Sequence, residues 1–533
     1  MLELGTLPAE LFDLVITHLV ASVGIRKAIA LRIVSRCFNA AILEAICARQ
    51  VVDIHDPNTP DLAYAMTDQL RGKIFLAKSR LAAAKNKYTY LSVIASVNQA
   101  LDILTGETST KVLRHRHVSV AQAVNIVQDL PLDSRMEAQN NLSGAIIIGD
   151  LHLVKLLLAA DESSTALADV NENTPYFGRP LTIAATWGHA EIVSYLLDRG
   201  ALPDLFSSTR KSGDESKWEN HGWDPGDEAS IWHVASYRQS PASALRGAVL
   251  GGYGNIVHLL LLPEHRTTCS NLEYLRAIVA GVRTGRLDLI RTFFQVMGKG
   301  LSEFKGLANE MIWEAIRFDQ KEIVQMLLDE GVDVTAYPDP DIRTFHGTLH
   351  LAASLGNLSM VQFLLERGAD VNFNGMGKPG NSAIEGAAGG GQEEVVEFLL
   401  DAGADPVRAL WSAAKEGQPR VVKLLLDKLP DLIHRPDECG SAGSQALIKA
   451  LLACNLTSMT LLVQRGVSLT EGYEFSGLLP MDIAKQGSER WVIDHMISLG
   501  AEDTPGDAYA PSSPPTIGGV RVTEHTWEWV GKY

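Results

Sequence analysis

The sequence predicts an all-α architecture built by repetition, and three observations support this. The segment GTLHLAASLGNLSMVQFLLERGADVN (347–372) recurs in degraded form about ten times. The last apolar anchor of each copy falls in order at Leu158, Leu197, Leu261, Phe294, Leu328, Leu365, Leu400, Leu426, Val463 and Ile497, and most neighbours stand 33 to 39 residues apart. The clearest copies close on a glycine directly after an amphipathic run, as in LLDRG and LLERG. One small unit stacked on itself creates a long surface and no central pocket, which suits holding proteins rather than transforming small molecules.

Within the best copy, Thr348 stands where its hydroxyl can cap the first orphan amides of a short helix. Ala352 and Ala353 keep that helix thin, so neighbouring copies can approach. Gly356 is placed for the left-handed conformation that ends a helix. Met360, Val361, Leu364 and Leu365 then share one face of a second helix. Gly368 closes it, and Ala369-Asp370-Val371-Asn372 begins an extended turn. Helix, turn, helix and hairpin in that order, with the words GTLHLAA and LLERGADVN, resemble the ankyrin repeat. The resemblance implies an ankyrin-repeat solenoid, a helix-turn-helix-hairpin stack spanning residues 140–504.

Other copies carry the same second-helix word: IVSYLLDRGA (192–201), EIVQMLLDEGVDV (322–334), VVEFLLDAGADP (395–406) and VVKLLLD (421–427). Two steps depart from the period. Leu197 to Leu261 is 64 residues, which predicts an insertion near 205–240 or an eroded repeat. Leu400 to Leu426 is 26, which predicts a copy with almost no hairpin finger. Each inner copy has an apolar face that only its neighbours can bury, so a charge at Leu364 should be costly.

Before the array lie two helical stretches. Leu7-Pro8-Ala9-Glu10-Leu11 opens a helix with proline in its first turn, where the missing amide costs nothing. Leu11, Val15 and Leu19 follow at helical spacing, and Leu31, Val34, Phe38 and Ile42 share a second face. The order LPxEL, VxxHL, LRxVSRxFN resembles the F-box, a three-helix module that here would cover residues 4–49. This sequence departs from the family in having no tryptophan between Ala45 and Gln50. The resemblance implies docking to a Skp-type adaptor of a cullin ubiquitin ligase through Leu7, Pro8, Leu11, Val15, Leu31 and Val34, with Phe38 partly structural. The alternative is a helical cap on the end of the repeat stack. Residues 50–139 read as a helical spacer docked on the first repeat. Its lysines and arginines (Lys73, Lys78, Arg80, Lys85, Lys87, Lys111, Arg114, Arg116) fit a solvated helix face or a patch for an anionic partner.

The insertion holds Trp218, Trp223 and Trp232, three of the nine tryptophans. Tryptophan is enriched at binding hot spots, and the same rings could equally fold back as local core. In ankyrin proteins the hairpin fingers and first helices line the binding face. By that resemblance Tyr337, Asp339, Phe345, Phe373 and Asn374 are candidates for client contact, although Asp and Asn also serve turns for backbone reasons. The Pro/Gly-containing tail (505–533) begins as a linker and ends in VRVTEHTWEWVGKY, either a strand that folds back or a peptide ligand.

Composition narrows the remaining choices. The net charge is −16, with 14 Lys+Arg against 10 Asp+Glu in residues 1–120 and 33 against 53 beyond. An acidic array disfavours a nucleic-acid partner. Five scattered cysteines without a CxxC pair suit a reducing compartment and argue against a disulfide framework or zinc site. The start MLELGTLPAE lacks a basic region of the signal-peptide kind, and no long apolar run predicts a membrane span. A cytoplasmic location is expected, with the nucleus left open. No Walker loop, G-x-S-x-G or H-E-x-x-H word is present, and Gly389-Gly390-Gly391 falls where a repeat turns between its helices. The expectation is a non-enzymatic protein-binding adaptor without cofactor, metal, nucleic-acid or membrane partner. It is either a ubiquitin-ligase substrate receptor with an unknown client or an ankyrin scaffold that sequesters its partner.

Overall fold

The computed structural model describes residues 9–31, 36–47, 68–81, 89–125, 132–159, 168–203, 243–265, 272–298, 300–301, 305–335, 347–373, 382–437, 440–471, 479–487, 490–502, 516–517, 520–522 and 527–529. It divides into two compact units, Met1–Asp224 with His233–Thr284 and Pro225–Trp232 with Gly285–Tyr533.

In the first unit, α1 (Ala9–Leu31) packs on α2 (Arg36–Cys47), which in turn touches α3 (Asp68–Ser79). The F-box resemblance implies three helices here, but residues 9–31 form one unbroken helix. The stretch VASVGIRKAIAL supplies helix formers and only one glycine, too weak a breaker to stop it. Next come α4 (Thr89–Thr105) and α5 (Thr110–Ala123), both packed on α3 and on α6 (Ser134–Ile147), the first helix of the first repeat. Gly144 of α6 lets α4 come close: an added Cβ would lie 2.4 Å from Val97. Lys78 is buried rather than solvated, because it stands one turn beyond Ile74 on the face of α3 that packs inward.

The repeats continue as pairs: α6 with α7 (Leu151–Leu157), α8 (Pro180–Thr186) with α9 (Ala190–Asp198), and α10 (Ala244–Leu250) with α11 (Gly254–Leu260). α12 (Leu272–Arg283) ends the unit. First helices α6, α8, α10 and α12 pack in a row, and second helices α7, α9 and α11 form a parallel row. The long step between Leu197 and Leu261 is occupied by residues 204–242, which lie outside the described residues.

The second unit begins at α13 (Leu287–Met297) and continues with pairs α14 (Lys305–Arg317) and α15 (Lys321–Asp329), α16 (Thr348–Ser354) and α17 (Leu358–Glu366), α18 (Ala383–Gly389) and α19 (Glu393–Asp401), α20 (Val407–Lys415) and α21 (Pro419–Lys428), α22 (Ala442–Leu452) and α23 (Leu456–Gln464), and α24 (Pro480–Gly487) and α25 (Arg490–Ser498). Its first helices, α14 through α24, also stand in one row. Ala352, Ala353, Ala387, Ala388, Ala413 and Ala414 lie in this row, essentially without solvent. Second helices bury Met360, Val361 and Leu364 of α17 and their counterparts Val395, Val396 and Leu399 of α19. Leu365 is only half-buried, and Phe363 takes its place inside. Between α19 and α20 only Ala402 to Pro406 intervene, matching the short step in the sequence.

The strands are few. β1 (Pro436–Asp437) pairs antiparallel with β2 (Gly440–Ser441) before α22. In the tail, β3 (Thr516–Ile517), β4 (Val520–Val522) and β5 (Trp527–Trp529) form an antiparallel sheet with Val520 opposite Trp529. Trp527-Glu528-Trp529 is thus a strand.

Candidate protein-binding surfaces

The surface of the repeats is held in register by turns that reach from one repeat to the next. The glycine between the paired helices adopts positive φ at Gly149, Gly188, Gly285, Gly356, Gly391 and Gly417. At each of these a Cβ would collide with the side chain that opens the next repeat's second helix: His189, Tyr253, Gln320, Gln392, Gln418 and Asn455 respectively. His189, Gln392, Gln418 and Asn455 also reach back to carbonyls of the preceding repeat. Gln392 donates to Ser354 O at 3.4 Å, Gln418 to Gly389 O at 3.2 Å, and Asn455 to Ala414 O at 3.1 Å. His189 Nε2 lies 3.3 Å from Ile147 O. Each bond covers a carbonyl that its own helix leaves open.

Thr348 serves the same purpose from the other end. It is not the N-cap: Gly347 holds that position without a side-chain cap, and the Thr348 hydroxyl donates instead to Val334 O of the preceding repeat. The hydroxyl lies one residue inside the helix, beyond reach of the first amides. His350 Nδ1 donates to Ser382 O at 2.9 Å, so the TLH word is repeat-to-repeat wiring. Real caps are Asp133, Asp150, Ser243, Asn357, Ser382 and Ser441.

The bases of the fingers are braced likewise. Asn372 donates to Gly403 O at 3.1 Å and accepts from Asp405 N at 3.0 Å. Asn171 makes the equivalent pair with Gly200 O and Leu202 N. Phe373 is half-buried, its ring against Gly347, where a Cβ would sit 3.1 Å away. Tyr337, Asp339, Phe345, Asn374, Trp218, Trp223 and Trp232 lie outside the described residues.

The first-helix rows also carry aromatic and charged groups that no local motif marks. Trp313 of α14 and Trp411 of α20 stand at the repeat position His350 holds in α16, and all three are half-buried. Trp411 Nε1 donates to Ala442 O at 3.1 Å, which leaves its ring as the available part. Aligning the copies on their turn position, Gly356, Gly417 and Asp319, finds both rings, since each precedes that position by the same number of residues. In the first unit, Arg246 of α10 and Arg276 of α12 both meet the buried Glu273 carboxylate, at 3.2 and 2.7 Å. Burial holds the Arg246 guanidinium below its usual range, and Glu273 opposes that shift. The second-helix rows carry exposed ion pairs, Arg367 with Asp329 at 3.1 Å and Lys428 with Glu397 at 2.8 Å. Hydrogen bonds from Gln325 and then Arg367 hold Asp329 below the ordinary carboxylate range. Solvated pairs of this kind contribute little to folding.

At the amino end, α1 buries Phe12, Ile16, Val20 and Ala28 and turns Leu11, Leu14 and Val15 outward, Leu14 with 52% of its surface exposed. Of the other adaptor-contact candidates, Leu7, Pro8 and Val34 lie outside the described residues. Leu31 ends α1 and Phe38 lies in α2, their side chains undescribed. Among the described residues no group of three His, Cys, Asp or Glu is arranged to hold a metal, and no helix is long and apolar enough to cross a membrane.

Comparison with known proteins agrees with this geometry. Residues 337–409 match a model of ankyrin repeats in three copies, and residues 179–208 match a single ankyrin repeat. The chain is 26% identical over 285 residues to the ankyrin repeat and KH domain-containing protein mask-1 of Caenorhabditis elegans, a match covering 51% of this chain and 10% of that protein. It is 40% identical over 94 residues to human NF-kappa-B inhibitor delta, covering 16% of this chain and 29% of the inhibitor. The chain therefore spans less than a third of either relative. Among solved structures, the human ASB11 ankyrin repeat domain aligns with 43% of this chain and 99% of its own, at 21% identity and a TM-score of 0.33. The stacked helix pairs at 179–208 and 337–409 are ankyrin repeats, units that bind proteins. No F-box model is among these matches.

Proposed function

We propose that this protein is a two-ended adaptor: its ankyrin repeats hold a client, and α1 docks a Skp-type adaptor that links the client to a cullin ubiquitin ligase. The observation that carries the reading is the outward stripe of Leu11, Leu14 and Val15. The alternative assigns the amino-terminal helices to capping the stack. Against that alternative, α4 and α5 are the helices that pack on the first repeat, while α1 packs on α2. Among the described residues α1 packs chiefly on α2, and a helix that turns three aliphatic side chains to water is suited to receive a partner. The client side rests, within the second unit, on the braced finger base at Asn372 and on the half-buried Trp313, His350 and Trp411 of its first-helix row. Half-buried aromatic rings on a fixed scaffold lose little entropy on binding.

A second reading keeps the repeats and drops the ligase. One relative is named an inhibitor of NF-kappa-B, and sequestration of a protein partner is the corresponding role here. One experiment separates the two. Purified Skp-type adaptor is titrated onto the full chain and onto a Leu11→Asp/Val15→Asp variant, with a thermal melt to confirm that the variant folds. The ligase reading expects the parent to bind and the variant to lose at least about tenfold in affinity. A parent that does not bind, or a variant that binds equally, sinks it and leaves the sequestering scaffold.

A further inference from the structure

We propose that the tip of the α4–α5 hairpin is a docking surface for an acidic, aliphatic-rich segment of a partner protein, separate from both the repeat surface and α1. The hairpin places two kinds of group side by side. Ile103 and Leu104 in the last turn of α4, and Val112 in the first turns of α5, are exposed, Ile103 with 73% of its surface in water. Interleaved with them, Lys111, Arg114 and His115 are exposed on α5. The turn between the helices is short and ordered by Glu107, whose carboxylate accepts from the amides of Thr108 and Ser109 at 2.9 and 2.8 Å.

Local bonding decides the sign of the patch. The hairpin holds two carboxylates, and both are turned to internal use. Asp102 is engaged by His117 Nε2, 3.0 Å from each of its oxygens. Glu107 is folded onto its own loop. Arg116 donates to Thr105 Oγ1 at 3.1 Å, which pins the start of α5 against the end of α4. Lys111 and Arg114 make no ion pair among the described residues, so their charge faces outward. An aliphatic patch rimmed by exposed cations complements a segment with carboxylates around leucine-like side chains.

An anionic bilayer offers similar chemistry but suits the chain poorly. Residues beyond 120 hold 33 Lys+Arg against 53 Asp+Glu, and that excess negative charge would be repelled by the same surface. A protein segment reaches the hairpin tip without bringing an extended charged plane near the repeats.

The test uses the full chain and three labelled synthetic peptides, one of leucine and glutamate, one of leucine and lysine, and one of serine and glutamate. Fluorescence anisotropy is read at low and high salt for the parent, Ile103→Asp and Arg114→Glu. Both substitutions lie at exposed positions, and thermal melts confirm folding. The expected result is binding of the leucine–glutamate peptide, at least about tenfold weaker binding of the other two, weakening by salt, and a loss of at least about tenfold in each variant. Failure of that peptide to bind the parent, or equal binding by the variants, overturns the proposal. So does capture of the parent but not the variants by phosphatidylserine vesicles without peptide preference. Sedimentation showing a parent dimer that the substitutions dissociate also overturns it, because the patch would then be occupied by a second copy.

Discussion

At the scale of single residues, Cys454 and Asp319 show what the turn between paired helices demands. Both occupy the position that glycine holds elsewhere, and both adopt positive φ, 57° and 55°. Aspartate tolerates this conformation through its short polar side chain, and Asp319 Oδ1 also accepts from Asn357 at 2.6 Å. Cysteine is not among the side chains that visit this conformation readily. Cys454→Gly should therefore stabilise the protein by about 0.5–1 kcal/mol, the relief of left-handed strain less the extra freedom glycine gains in the unfolded chain. Urea unfolding followed by circular dichroism checks it; a midpoint at or below the parent's would show that the turn is not strained. The residue scale is also where sequence reading was weakest. Thr348 looked like a cap because hydroxyls before helices usually are, yet its bond runs to Val334 in another repeat. Trp313 and Trp411 are less legible than the tryptophans of the insertion, since their significance lies in a shared repeat position rather than a conspicuous local composition.

At the scale of elements, the second helices were the most legible part of the chain. Their paired apolar residues and closing glycines follow from burial on one face and from chain reversal, both local demands. The first helices were readable wherever alanines crowd, as at Ala352-Ala353 and Ala413-Ala414. What local pattern did not reveal is the wiring between neighbours. The residue after each turn glycine is a histidine, tyrosine, glutamine or asparagine in many copies, and its partner lies in the preceding repeat, so only the stacked structure explains it. The F-box resemblance implies three helices over 4–49, whereas 9–31 form a single helix, because residues 20–31 offer no breaker strong enough to interrupt it. The inter-repeat bonds should carry measurable energy. Gln418→Ala removes the donor to Gly389 O and is expected to cost about 1 kcal/mol. Exchange of the amides of α18 and α21 should quicken by about fivefold, and no change in either helix would reduce the bond to an incidental contact.

At the scale of the whole molecule, the repeats within each unit form a file of helix pairs rather than a single shared core, and the account stands on that organisation. A pair buries its apolar face only against the pairs on either side, so damage should spread along the file and fade with distance. Leu364 of α17 is the sharpest probe, being fully buried. Leu364→Asp should cost ~3 kcal/mol or more through an uncompensated buried charge. Native-state hydrogen exchange on this variant, resolved helix by helix, tests the claim most directly. The account predicts that protection collapses in α16 and α17, falls less in α18 and α19, and survives in α22 and α23. Loss of protection to the same extent in every helix of the second unit would mean one indivisible core and would contradict it.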